Sequence, residues 1–216
     1  ARVVLDDEGK NLVLRKIAGE CEKDLKVFKG NLKKQGYISE VKSVLSEFAQ
    51  YGVDFERLDD FMKEVPPESY LHYKLDDIRT IYEKFEEYLS EKYITKEEML
   101  DVLSDAVPYS DILKGSVVAM DGFTGFTPVQ NRLIGELFSV CEKVMITVTM
   151  DGRENPYVYE HPYQIFALGK QMVTSLMKIA GEKKTEIEEP ICLFERPVYR
   201  FRDCSEMAFL ETELFR

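Results

Sequence analysis

The stretch whose residue types and order could do chemistry is VVAMDGFTGFTPVQ, residues 117–130. A short apolar run leads straight into Asp121, which places a carboxylate at the end of a buried strand, the edge where open α/β sheets bind ligands. In a motor ATPase such a carboxylate holds Mg²⁺ and an adjacent Glu orients the attacking water, but Gly122 stands in that place. A phosphatase of the haloacid-dehalogenase kind needs a second Asp two residues on, and Phe123 excludes it.

Other chemistries find less support. A phosphate cradle of the form G-x-x-x-x-G-K-[ST] lets backbone N–H groups and a lysine hold a nucleotide. Gly169-Lys170 has Gln164 ahead of it and Gln171 behind, and Gly9-Lys10 has Val4 and Asn11, so neither completes the pattern. His72 and His161 are the only histidines and form no H-x-x-x-H or H-E-x-x-H pair, and there is no G-x-S-x-G elbow. Cys21, Cys141, Cys192 and Cys204 are scattered without a C-x-x-C, which predicts no metal site or disulfide framework and favours a reducing, cytoplasmic setting. The pairs Asp59-Asp60, Asp76-Asp77 and Glu97-Glu98 are expected to be solvated charge on helix faces opposite the apolar stripes. With 40 acidic against 29 basic residues and a net charge of −11, the chain is not a generally polybasic nucleic-acid binder. Only residues 15–34 are locally basic. Lys23, Lys26, Lys29, Lys33 and Lys34 are the candidates there for phosphate contact, with a solvated helix face as the competing reading.

These residues must be positioned by two kinds of segment. Residues 1–110 read as almost wholly helical: Ile38, Val41, Val44, Leu45 and Phe48 share a face before Gly52, and Phe55, Leu58, Phe61, Met62 and Val65 precede Pro66-Pro67. Leu71, Leu75, Ile78, Ile81, Tyr82, Phe85 and Leu89 then step by three and four, and Thr95 with Glu98 forms a capping box ahead of a further helix. From Gly115 the pattern changes to a strand at 116–120, a helix at 128–138, a strand at 143–149, a helix at 162–181, a strand at Val198–Arg202 and a helix from Ser205. That alternation predicts an α/β class with parallel strands and crossover helices. The domains expected are a helical subdomain over 1–114 and a partial α/β domain over 115–216. No apolar run approaches the ~18–20 residues of a membrane span, and the opening ARVVLDDEGK does not read as a signal peptide. The lack of an initiator Met and an uncapped last helix predict a piece of a longer protein.

Asp121 to Gln130 resembles the second conserved motif of UvrD-like superfamily 1 helicases, D-E-F-Q-D-T-N-x-x-Q. Asp121, Phe123 and Gln130 keep that motif's residues, while Gly122 replaces its catalytic Glu, Thr124 its Gln and Gly125 its second Asp. The third motif, G-D-x-x-Q after a strand, is similar in degraded form to the segment from Asp151 to Glu154. The combination D-G-F-x-G-F-T-P-x-Q, with LHYKLDDIRTIYEKFEEYL (71–89), YITKEEMLDVL (93–103) and IFALGKQMVTSLMKIAGE (165–182), resembles the AddB family, B subunits of the ATP-dependent helicase/deoxyribonuclease of Gram-positive bacteria.

The resemblance implies a three-layer, parallel-sheet, P-loop-NTPase-like half domain (1A-like) with an inserted all-helical subdomain (1B-like), an internal part of an inactivated helicase region. It implies a parent that pairs with an A subunit carrying the motor, scans single- and double-stranded DNA at the nucleoid, and processes double-strand breaks for recombinational repair. ATP, Mg²⁺ and an iron–sulfur cluster are implied for that parent, whereas this chain is expected to need no cofactor and to be catalytically silent. The alternative is a helical protein-interaction scaffold with no DNA role. A phosphotransfer enzyme built on Asp121 and Mg²⁺ lacks both the phosphate loop and the second acid.

Overall fold

The computed structural model describes residues 2–32, 34–90, 92–152, 154–193 and 199–214. Contacts divide the chain into two units: residues 1–120 with 126–146, and residues 121–125 with 147–216.

In the first unit, strand Val3–Leu5 (β1) leads into helix Asp7–Glu20 (α1). The Asp6 carboxylate accepts the Gly9 N–H at 2.7 Å, and Asp7 and Glu8 add negative charge to the first turn, where exposed N–H groups favour it. Val13, Leu14, Ile17 and Ala18 recur at helical spacing and are buried, with Lys10 in the same stripe. Helix Gln35–Tyr51 (α2) buries Ile38, Val41 and Leu45. It stops at Gly52 in the left-handed conformation (φ 64°), and the N–H groups of Gly52 and Val53 return to the carbonyls of Ala49 and Phe48. This is the glycine cap that the spacing predicts.

Helices Phe55–Glu64 (α3) and Tyr70–Leu89 (α4) follow, each capped by a side chain, Asp54 to the Arg57 N–H and Ser69 to the His72 N–H. The α4 stripe is buried as its spacing predicts from Leu75 to Leu89, while Leu71 in the first turn stays exposed. α4 packs on α1 and α3, and α1 on α2. The tightest point of the resulting core holds Leu14, Ile17, Ile38, Ile81 and Leu89, none more than 2% exposed.

Tyr93–Thr95 (β2) pairs in parallel with β1, Val3 opposite Tyr93 and Leu5 opposite Thr95. Strands of three residues carry too little alternation to be read from sequence, which is why the spacing predicts only helices in this half. The capping box opens helix Lys96–Ala106 (α5) as predicted: the Glu98 carboxylate accepts the Thr95 N–H at 2.7 Å and the Thr95 hydroxyl accepts the Glu98 N–H at 3.2 Å.

Val117–Met120 (β3), helix Pro128–Val140 (α6) and Lys143–Ile146 (β4) form a parallel β-α-β unit, Val117 opposite Lys143 and Met120 opposite Ile146. β4 stops at Ile146 rather than Thr149 because β3, its partner, ends at Met120. α6 packs on α5 and α2, with Arg132 reaching Asp101 (2.7 Å) and Asp105 (2.5 Å). These three elements therefore group with the helices before them, whereas the change of pattern at Gly115 predicts that they group with the chain that follows.

The second unit contains helices Ala167–Lys183 (α7) and Ser205–Glu213 (α8). α7 buries Ala167, Gly169, Lys170, Met172 and Ala180, and α8 buries nothing. The third strand expected at Val198–Arg202 is replaced over Tyr199–Phe201 by a single 3-10 turn, and Val198 lies outside the described residues. Among the described residues each sheet has two strands.

The carboxylate pairs are not uniformly solvated. Asp59 makes a two-pronged pair with Arg79, at 2.5 and 3.1 Å, joining α3 to α4, while Asp60 pairs with Lys63 at the surface. Asp77 is 1% exposed, and its carboxylate accepts the backbone N–H groups of Lys26 (2.8 Å), Val27 (2.7 Å) and Phe28 (2.8 Å). The segment between α1 and α2 is consequently a series of turns instead of the helix suggested by the basic run. N–H groups pointed at a carboxylate cannot continue a helical ladder.

Asp77→Ala strands those N–H groups in the interior and is expected to cost about 3 kcal/mol or more. Asp76→Ala, at the exposed neighbour, should cost under about 1 kcal/mol. Urea unfolding of both variants checks this, and equal midpoints would show that Leu25, Phe28 and Leu32 hold the turn without Asp77.

Candidate functional site

Asp121 and Thr147 are the residues that immediately follow β3 and β4. The Thr147 hydroxyl donates to the Asp121 carboxylate, and both residues remain solvent-exposed. Gly122, which stands where the helicase motif has its catalytic Glu, has φ 80°, and a Cβ there would meet open space. Backbone conformation rather than crowding is what suits this position to glycine. Phe123 is 43% exposed, and Thr124 and Gly125 are exposed with it.

Gln130 belongs to the other unit and has a different task. It is the third residue of α6, and its side chain accepts the Thr127 N–H at 2.8 Å, while the Thr127 hydroxyl accepts the Gln130 N–H at 3.4 Å. Pro128 occupies the first turn, where a missing N–H costs nothing. The Gln130 side chain is thus engaged in starting a helix. The Thr-Pro-x-Gln order is itself a capping-box signature, which reading the stretch for chemistry passed over.

The segment similar to the third motif is also built into the fold. Asp151 is half-buried, and Glu154 forms an ion pair at 2.5 Å with Lys170, whose side chain is 5% exposed. Arg153 lies outside the described residues. A Cβ at Gly169 would come within 3.2 Å of the Thr149 carbonyl, so the glycine lets α7 approach that backbone closely. The Gly-Lys pair that fails as a phosphate loop therefore serves packing through Gly169 and ion pairing through Lys170.

The basic candidates lie on the turns between α1 and α2. Lys23 and Lys29 are exposed. The Lys26 ammonium is bonded to Asp76 at 2.8 Å, which raises its pKa above the ordinary lysine value, and sits 4.9 Å from the centre of the Tyr73 ring. Lys34 donates to the Asn31 side chain and lies over Tyr37. Lys33 lies outside the described residues.

Among the described residues no three His, Cys, Asp or Glu side chains stand together to hold a metal ion. Cys21 is buried against its own helix, donating to the Ile17 carbonyl, and Cys192 and Cys204 are exposed. The cysteines among the described residues do not stand together as an iron–sulfur cluster requires. No helix among the described residues is long and apolar enough to cross a membrane.

The family described as "ADDB, N-terminal" matches residues 1–211. The chain is 38% identical over its whole length to the B subunit of the ATP-dependent helicase/deoxyribonuclease of Lachnoclostridium phytofermentans, covering 19% of that protein. It is 35% identical over 96% of its length to the like-named protein of a Thermoanaerobacter species, and 32% identical over its whole length to that of Clostridium acetobutylicum, covering 18% of each. The chain therefore spans about a fifth of the length of the curated relatives it matches.

Replacing Gly122 by the Glu of the helicase motif puts a side chain on a left-handed residue, at an expected cost of about 1–2 kcal/mol. Calorimetry should show Gly122→Glu melting several degrees below the parent, with Gly125→Ala, where nothing crowds the new Cβ, close to it. A Gly122→Glu variant that melts with the parent would mean that the loop adopts a different backbone without penalty.

Proposed function

Because the chain belongs to the AddB N-terminal family, we propose that it is the helicase-like region of a DNA-processing B subunit, a module for DNA scanning and subunit assembly that does not itself hydrolyse ATP. The observation that carries this reading is the use made of the motif residues. Asp121 is taken by Thr147, Gly122 offers no carboxylate, and Gln130 caps a helix, so nothing at the strand end is arranged to hold a metal-bound phosphate or aim a water. In the same reading β3-α6-β4 is the start of a three-layer parallel sheet of P-loop type, and the preceding helices are the inserted subdomain.

The whole protein would act with an A subunit on DNA double-strand breaks for recombinational repair, in the cytoplasm at the nucleoid. ATP and Mg²⁺ would belong to the motor of the complex. A nuclease with an iron–sulfur cluster would lie in the part of the parent outside this chain. Lys23, Lys29 and Lys34, on an exposed loop in a chain of net charge −11, would supply a modest phosphate contact. The scaffold reading draws on α8, where Met207, Phe209 and Leu210 are exposed and no residue is buried.

Fluorescence anisotropy with single-stranded DNA tests the reading. Binding is expected to be about micromolar or weaker and to fall steeply with salt. Reversing Lys23, Lys29 and Lys34 together should abolish it, Lys26 being left intact because it is tied to Asp76. A parallel ATPase assay should give no turnover above a buffer blank, with Asp121→Ala indistinguishable from the parent. Absence of binding at low salt would favour the scaffold, and turnover abolished by Asp121→Ala would overturn the silent-module reading.

A further inference from the structure

The first unit contains a small cleft between α1, α2, α4 and the start of α5, its walls largely apolar with several charged groups set into them. Lys10 comes from α1, Lys42 and Ser46 from α2, Tyr82 and Glu86 from α4, and Glu97 and Glu98 from α5. It encloses about 20 Å³, room for roughly one water.

Each of these charges except Glu86 has a partner. Lys10, 2% exposed, donates to Glu97 at 2.6 Å and to the Ser46 hydroxyl at 3.2 Å. Lys42 lies 3.7 Å from Asp7. Glu98 accepts from both the N–H and the hydroxyl of Thr95, which commits its carboxyl group to the capping box. The Tyr82 hydroxyl donates to the Val53 carbonyl. Glu86 is half-buried, and among the described residues no donor reaches its carboxylate.

We propose that this cleft is a proton-operated catch on α5, closed while Glu86 carries a proton and loosened when Glu86 is ionised. Protonated, Glu86 is a neutral group against Phe85, Tyr82 and the capping box. Ionised, it is a second negative charge beside Glu98 with no cation free to answer it. The repulsion then acts on the side chain whose bonds start α5.

The two neighbouring glutamates show how the difference arises. Burial alone would raise the Glu97 pKa, but the hydrogen bond and charge of Lys10, a backbone N–H and the Ser46 hydroxyl together outweigh burial and hold it below the ordinary value. Glu86 has the burial without the donor, and burial together with the Glu98 charge pushes it up to about 7. A carboxyl whose folded pKa lies above its unfolded value binds its proton more tightly in the fold. The stability it contributes is fully present below about pH 4.5, is lost as pH rises toward 7, and changes no further above that.

Carbon-13 NMR of the Glu86 carboxyl, with amide hydrogen exchange corrected for intrinsic rates, tests the catch on the intact chain. The carboxyl should titrate well above the ordinary ~4.3 of a glutamate. Protection of the Glu98–Leu100 amides should fall by about tenfold or more between pH 5 and 8, the effect of one pKa unit or greater. Protection of Val13–Ala18 in α1 should hold steady, and Glu86→Gln should flatten the α5 response. Glu98→Gln is the second variant: Gln keeps the capping acceptor without its charge, so Glu86 should titrate lower. An ordinary Glu86 midpoint, the same α5 loss in Glu86→Gln, or an equal loss across α1 overturns the proposal.

Discussion

The first unit depends on the hydrogen bonds between the Asp77 carboxylate and the N–H groups of residues 26–28. Between α1 and α2 the described residues form no helix and no strand, and this segment must still cover the core with Leu25, Phe28 and Leu32. An irregular buried segment leaves N–H groups without a ladder, and a charged acceptor placed inside satisfies several of them at once. Asp77 arrives there because it lies in the apolar stripe of α4, between Leu75 and Ile78. The same helix that closes the core therefore also fixes the loop carrying the lysines.

Buried charge follows one rule in both units. Among the described residues Lys10 and Lys170 are the buried lysines, and each meets a glutamate, Glu97 or Glu154, at 2.5–2.6 Å. A cation removed from water without a partner would be strongly destabilising. Acidic residues that look surplus in a chain of net charge −11 are thus partly consumed inside it. In the cleft beside Lys10, Glu86 has no cation partner among the described residues, and its burial favours the protonated form.

The residues of the strand-end segment are each engaged in the fold. Asp121 follows strand β3, whose residues are exposed or half-buried and not part of the core, and it accepts a hydrogen bond from a hydroxyl at the next strand's end. Gln130 still stands nine residues on, and its amide holds the first turn of α6. Gly122 supplies a left-handed turn where a carboxylate would have had to be held in strain. Gly122 and Gln130 meet local backbone requirements, whereas the Asp121 contact joins two strand ends 26 residues apart.

What could be read from the residues alone is what depends on near neighbours along the chain. The stripes of α2 and α4, the Gly52 cap, the Thr95–Glu98 box and the order β3-α6-β4 all arise from periodicity or from contacts within about four residues. The tertiary structure decided everything that joins distant segments. Asp77 reads as a surface acid until Lys26–Phe28, about fifty residues earlier, are brought against it. Glu97 reads the same way until Lys10 arrives from 87 residues away. β1 and β2 are too short to declare themselves and exist only as a pair. A carboxylate's identity says nothing about its burial, and whether it ends solvated, paired or protonated is settled by which elements pack around it.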